Sequence, residues 1–132
     1  MSLQVHIVTP AKNMLSTACN DVVLPGFDGE MGILTEHAHL VNRLGAGLVK
    51  IHKDGETLNV AISGGVVEVG GNQVTILADE AMFAKDINTA KLDQEQKKLS
   101  EALVTLSDET TDREKLFAKQ RWLTAQYNLI KS

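Results

Sequence analysis

The chain has 132 residues, 43% of them apolar and 23% charged, with a formal net charge of -4 and a single cysteine. That size suits one main core with a small appendage, and the composition excludes wholesale disorder and fibrous architectures. Net acidity argues against phosphate-backbone binding by the whole surface, lone Cys19 forms neither an internal disulfide nor a thiolate zinc cluster, and no apolar run reaches the roughly 18 residues that span a bilayer.

At the start, Leu3, Val5 and Ile7 alternate with Gln4 and His6, the period-two pattern of a half-buried strand. The first seven residues lack the basic and apolar regions of a secretory signal, and the lone thiol suits a reducing compartment. Thr9-Pro10-Ala11-Lys12-Asn13 punctuates the strand, and short apolar runs follow at 22–24, 47–51, 58–62, 66–69 and 74–77. Asp54-Gly55 and Gly70-Gly71-Asn72 fall where hairpins need residues tolerant of positive φ, which favours successive antiparallel strands over βαβ crossovers. About eight to ten short strands in residues 1–85 predict an antiparallel β-sandwich or flattened barrel.

From Asp86 onward there is no Gly or Pro, and Ala, Leu, Lys, Gln and Glu dominate, all strong helix formers. Leu92, Leu99, Leu103 and Leu106 make one helical stripe, and Leu116, Leu123, Tyr127 and Ile130 repeat the same spacings in a second. The polar run 107–112 separates them, with Thr111 and Glu114 spaced as a capping box. Residues 86–132 are therefore predicted to form an antiparallel two-helix hairpin, giving an α+β chain overall. Helices of this length are marginal alone, so the hairpin is expected to lean on the β body or on another protein. Five Lys/Arg face nine Asp/Glu in 1–85, three face six in 86–111, and five face two in 112–132. Only the last segment is basic, which points to an acidic protein surface rather than nucleic acid as its partner.

Few residues suggest chemistry. His37-Ala38-His39 beside Glu36 sketches a metal site, yet two histidines at i, i+2 need further ligands from afar, and loop polarity explains them more simply. Ser63 before Gly64-Gly65 lacks the G-x-S-x-G elbow, and Cys19 with His6 or His37 forms a nucleophile pair only through contacts a sequence does not show. The glycines form no Walker loop, and Trp122 and Tyr127 lie on an amphipathic helix, where packing is the simpler role than base stacking. No catalytic residue, metal site or cofactor is expected.

The stretch Gly26-Phe27-Asp28-Gly29-Glu30-Met31-Gly32-Ile33-Leu34-Thr35-Glu36-His37-Ala38-His39-Leu40 resembles the G-x-x-G-E-x-G-I-L-P-x-H-A-P-L signature of ATP synthase epsilon subunits. Ser63-Gly64-Gly65-Val66-Val67-Glu68-Val69, followed by Asn72 to Asp79, is similar to the family's S-G-G-x-x-E-V and N-x-V-T-V-L-A-D blocks, and Val8-Thr9-Pro10 fits as well. Thr35 and His39 depart from the pattern, which usually has Pro at both places, so local loop shape is expected to differ.

The resemblance implies a non-enzymatic rotor subunit of a bacterial-type F-type ATP synthase, peripheral on the cytoplasmic face of the inner membrane and reaching that membrane only through partners. Its β domain would contact the gamma subunit along one side and the membrane-embedded c-subunit ring through Gly29, Glu30 and Met31, with His37 nearby. In relatives that restrain hydrolysis the hairpin opens and extends transiently into the alpha/beta catalytic head; Arg113, Lys115, Lys119 and Arg121 would meet an acidic segment there. Both assignments compete with a plainer one, in which Glu30 is a solvated loop charge and the four cations a solvated helix face. Some relatives bind ATP through an I/L-D-x-x-R-A motif. Here the corresponding Ile87-Asn88-Thr89-Ala90-Lys91-Leu92 lacks both the carboxylate and the guanidinium fork, so ATP binding through Ile87, Asn88 and Lys91 is expected to be weak or absent. From the residues alone, a free-standing adaptor that recruits some other acidic protein remains the alternative function.

Overall fold

A computed structural model describes residues 3–34, 37–104 and 110–132, with side chains throughout except at 37, 38 and 110–112. Ten strands come first: β1 (Leu3–Val8), β2 (Asn13–Cys19), β3 (Asp21–Gly26), β4 (Gly29–Ile33), β5 (His37–Leu44), β6 (Gly47–Lys53), β7 (Glu56–Ile62), β8 (Gly65–Gly71), β9 (Gln73–Ala78) and β10 (Ala81–Met82). A 3-10 turn at Ala84–Asp86 leads into α1 (Thr89–Val104) and α2 (Thr110–Lys131). The α+β order agrees with the expectation from periodicity. Strands β2, β4 and β5 were hidden in the sequence because they mix polar residues and glycines into their runs, as in Gly-Glu-Met-Gly-Ile of β4.

The strands follow the order β10-β7-β6-β3-β5-β8-β9-β1-β2, with β4 on the other side of β3. The path turns at a single bridge, Gly26 opposite Leu44, so β10-β7-β6-β3-β4 and β5-β8-β9-β1-β2 form two layers. Alternate residues of both layers meet in one core: Val22, Leu24, Val49, Ile51, Val60 and Ile62 from one side, Leu3, Val5, Ile7, Val67, Val69, Val74 and Ile76 from the other. One pairing departs from the all-antiparallel expectation. Strand β1 lies parallel to β9, with Val5 opposite Val74 and Ile7 opposite Ile76. No tight turn joins these two strands, so nothing local imposes an antiparallel direction on them.

Two glycine-bearing turns explain how the layers close. Asp54 and Gly55 both have positive φ, 51° and 84°, as a two-residue turn of the I′ kind requires between β6 and β7. Gly65 opens β8 at φ +149°, and a Cβ there would collide with the Leu77 carbonyl oxygen and lie 2.9 Å from Ala78 Cα. Only glycine lets β8 approach β9 at that point.

The hairpin packs as its stripes predict over most of its length: Leu92, Leu99 and Leu103 of α1 meet Leu116, Leu123 and Tyr127 of α2. Gln96 and Gln120 exchange amide hydrogen bonds of 2.9 Å, and Tyr127 Oη donates to Asp93 at 2.5 Å, so the helices run antiparallel. Leu106, residues 107–109 and the Thr111 side chain of the expected capping box lie outside the described residues. Ile130 does not belong to the seam. It is 39% exposed, whereas Leu129 is buried. The reason is a second apolar face on α2: Trp122, Ala125 and Leu129, spaced i, i+3, i+7, pack with Ile87 on Leu48 of β6 and Ala61 of β7. Helix α2 therefore lies between α1 and the sandwich.

Candidate functional site

Where α2 leaves the sandwich uncovered, the β3–β4 end and the outer face of β5, β8 and β9 are open to partners. The first is the end formed by the β3–β4 hairpin. Gly26 pairs with Gly29, leaving Phe27 and Asp28 as the turn, and Gly29 takes φ +135°. Phe27 is 59% exposed, with the Arg43 guanidinium 4.4 Å from its ring centroid. Glu30 follows on the outward side of β4, its carboxylate 3.9 Å from Lys50 Nζ, both side chains well exposed. An exposed ion pair of that length contributes about 0–1 kcal/mol, so Glu30 can exchange Lys50 for another cation at little cost. Met31 points the other way, packs partly against the core, and accepts a long hydrogen bond from Asn42 Nδ2 at 3.5 Å. Of the residues expected at the ring contact, Gly29 and Glu30 are thus outward and Met31 supports the hairpin from behind. His37 pairs through its backbone with Gly71, and its side chain lies outside the described residues.

The second surface is the outer face of β5, β8 and β9. Arg43 is opposite Val66, and Val66 is opposite Leu77; one row over, Val41 is opposite Glu68. Val41, Val66 and Leu77 are all exposed, Val41 by 63%, and Leu34 is exposed just after β4. Three branched side chains in two adjacent rows of one sheet make an apolar patch of the kind that marks a protein partner. Sequence reading missed this surface. The signal was available in Val66, an apolar residue out of phase with the buried Val67 and Val69.

The basic residues of the last segment, Arg113, Lys115, Lys119 and Arg121, are all exposed on α2. Arg121 lines a cleft of about 720 Å³ with Arg43, Ser63 and Asp79 of the sandwich. The Ile87–Lys91 stretch has structural occupations. Ile87 packs into both helix clusters, and Asn88 caps α1, its Oδ1 accepting the Lys91 backbone N–H at 3.1 Å.

Among the described residues, His6 and Cys19 do not come together. His6 engages Ser16 at 2.9 Å and Gln73 at 3.0 Å on the outer face of β1, whereas Cys19 faces the core. Burial first, and then the negative charge of Asp21, push the Cys19 thiol above its ordinary pKa, which leaves it protonated and unreactive at neutral pH. Asp21 instead pairs with His52 at 2.8 Å. His39 faces Glu68 at 3.7 Å, and among the described residues no group of three His, Cys, Asp or Glu converges as a metal site would require.

Residues 2–84 match the family described as ATP synthase, Delta/Epsilon chain, beta-sandwich domain. The chain is 36% identical over 100 residues to the ATP synthase epsilon chain of Pelotomaculum thermopropionicum, covering 76% of this chain and 75% of that one. It is 34% identical over 119 residues to the epsilon chain of a Synechococcus strain, covering 90% and 85% of the two. The chloroplastic epsilon chain of Pyropia yezoensis is 33% identical over 121 residues, 92% of this chain and 88% of that one. Among solved structures, a chain of the Euglena gracilis mitochondrial ATP synthase, OSCP/F1/c-ring, superposes with a TM-score of 0.80 at 22% identity, covering 96% of this chain and 80% of that one. At that identity the likeness speaks to the fold.

Proposed function

This chain belongs to the ATP synthase epsilon chain family, and on that premise we propose that its sandwich grips the rotating stalk while its helical hairpin acts as a detachable restraint on ATP hydrolysis. It is a non-catalytic rotor subunit of the F-type ATP synthase, with the gamma subunit and the c-subunit ring as partners; catalysis lies in other subunits. It joins a membrane-associated complex peripherally, and no helix among the described residues is long and apolar enough to cross a membrane. The working site is the cytoplasmic face of a bacterial plasma membrane.

On this reading the exposed patch of Val41, Val66 and Leu77 is the side that meets gamma, because burying apolar area supplies the affinity that exposed charges do not. The Gly29–Glu30 tip faces the polar loops of the ring, where flanking glycines let the carboxylate come close. The division into residues 1–85 and 86–132 then separates a grip from a control element.

The observation that carries the control role is the way the hairpin is attached. Among the described residues, helix α2 holds it to the sandwich chiefly through a small cluster of Ala61, Ala125 and Leu129 flanked by Leu48, Ile87 and Trp122. Such a patch contributes only a few kcal/mol beyond the cost of ordering the helices, so another support of similar strength can displace it. Released, α2 presents Arg113, Lys115, Lys119 and Arg121 to an acidic segment of the catalytic head. Reconstituting the ATPase head with the full chain and with a version ending at Lys85 tests this. The full chain should slow hydrolysis and the shortened one should not; equal rates contradict the restraint and leave the stalk role standing.

A further inference from the structure

Strand β7 is laddered to β6 along its whole length, from Lys53 opposite Glu56 to Ile62 opposite Gly47. Its two-residue turn makes the Lys53–Glu56 pair a hydrogen-bonded one, so Glu56, Leu58 and Val60 direct their backbone groups to β6, and Thr57, Asn59 and Ala61 direct theirs to the opposite edge. On that edge β10 pairs only with Ala61 and Ile62, after which the chain leaves through the 3-10 turn at Ala84–Asp86. Among the described residues, no backbone hydrogen bond reaches Thr57 or Asn59 from that side. Native proteins usually blunt such an edge with charge, proline or a covering segment. Thr57-Leu58-Asn59 has no charge and no proline.

A cleft of about 530 Å³ adjoins this edge, walled by Leu58, Phe83, Leu129 and Ile130, with Lys85 at its side. Leu58 is 41% exposed there, and Asn59, which also lines the cleft, holds its buried Oδ1 without a hydrogen-bond partner. Each feature specifies part of an occupant. Unpaired N–H and C=O groups on alternate residues require an extended backbone. The apolar walls require a branched apolar side chain, and the orphaned Asn59 oxygen requires an N–H donor, which an incoming backbone carries. Among the described residues lining the cleft, Lys85 carries the only charged side chain, and it complements a carboxylate. The mode is already present on the same edge, since Ala81 and Met82 pair antiparallel with Ile62 and Ala61 just before the chain turns away.

We propose that the open edge of β7 is a strand-addition site, which takes an extended segment of a partner protein carrying an apolar side chain followed by an acidic residue and continues the ladder that β10 begins. This surface lies apart from the stalk and ring contacts and does not depend on them. The probe is the capped peptide acetyl-Thr-Val-Thr-Val-Glu-amide, titrated into the full chain while backbone amide chemical shifts are followed. Saturable shifts are expected at Thr57, Leu58, Asn59 and Lys85. They should vanish when alternate peptide nitrogens are methylated, and weaken at least tenfold in Leu58→Lys. Because that variant can disturb the strand, Ile130→Glu, on the exposed side of α2, provides an independent loss by repelling the carboxylate. Absence of saturable shifts up to millimolar peptide overturns the proposal, as do shifts that survive methylation. A dimer that protects these same amides in the absence of peptide overturns it too, in favour of self-pairing.

Discussion

Replacing Leu129 with alanine tests whether one apolar cluster anchors the hairpin. Leu129 is 2% exposed and packs with Ala61 and Ala125 between α2 and the sandwich. Truncating a buried leucine costs about 2–5 kcal/mol, and the upper end applies where the surroundings cannot relax into the void. Here the void borders the open cleft beside Leu58 and Phe83, so relaxation and water entry place the cost near about 2–3 kcal/mol. At about 1.4 kcal/mol per factor of ten, the undocked hairpin becomes roughly 30- to 140-fold more populated. Amide hydrogen exchange measures this directly, with Val67 and Ile76 of the sandwich core as internal references. Protection should fall by that factor around Leu123 and Ala125 and stay unchanged in β8 and β9. Equal losses in both places refute the reasoning, because they make the chain a single cooperative unit rather than a sandwich with a detachable arm. Ile130→Ala, one residue away but exposed, is the control and should change stability by no more than about 0.5 kcal/mol.

Gly65→Ala should destabilise the sandwich by about 1–3 kcal/mol or more, since φ +149° is glycine territory and the added Cβ meets the Leu77 carbonyl; a urea midpoint unchanged from the parent contradicts that close approach. Tyr127 carries a pH signature. Its hydrogen bond to Asp93 first, then desolvation and the Asp93 charge, raise the phenol above its ordinary pKa of 10.0. A raised folded-state pKa means that this contribution is fully present below the unfolded value and lost as pH rises through the folded one, so the α1–α2 seam should loosen only in strong alkali. Helicity followed by circular dichroism should show that alkaline step in the parent and not in Tyr127→Phe; an identical step in both removes Tyr127 as its cause.

The family blocks at 26–40 and 63–79, the all-β first half and the helical second half were legible because each rests on short-range pattern: turn residues at fixed offsets, period two, then period 3.6. The Asp54-Gly55 turn was legible for the same reason, as its positive φ values follow from two adjacent residues. The seam of Leu92, Leu99 and Leu103 against Leu116, Leu123 and Tyr127 was readable from one stripe on each helix. Asn88 shows the limit. Compared with a binding motif it looked like a lost carboxylate, and in the fold it caps α1.

What the tertiary structure decided was which surfaces meet. Periodicity says that a residue seeks burial but not against what, so Leu129 and Ile130 could not be ranked until α2 was found between two partners rather than one. The parallel pairing of β1 with β9, the bridge of Gly26 to Leu44 and the early end of β10 along β7 join residues far apart in the chain, and their choice depends on how the two layers close over a common core. Side-chain patterning is a local property of the chain, whereas pairing and docking are set by the competition of whole surfaces for one another, which no window of sequence contains.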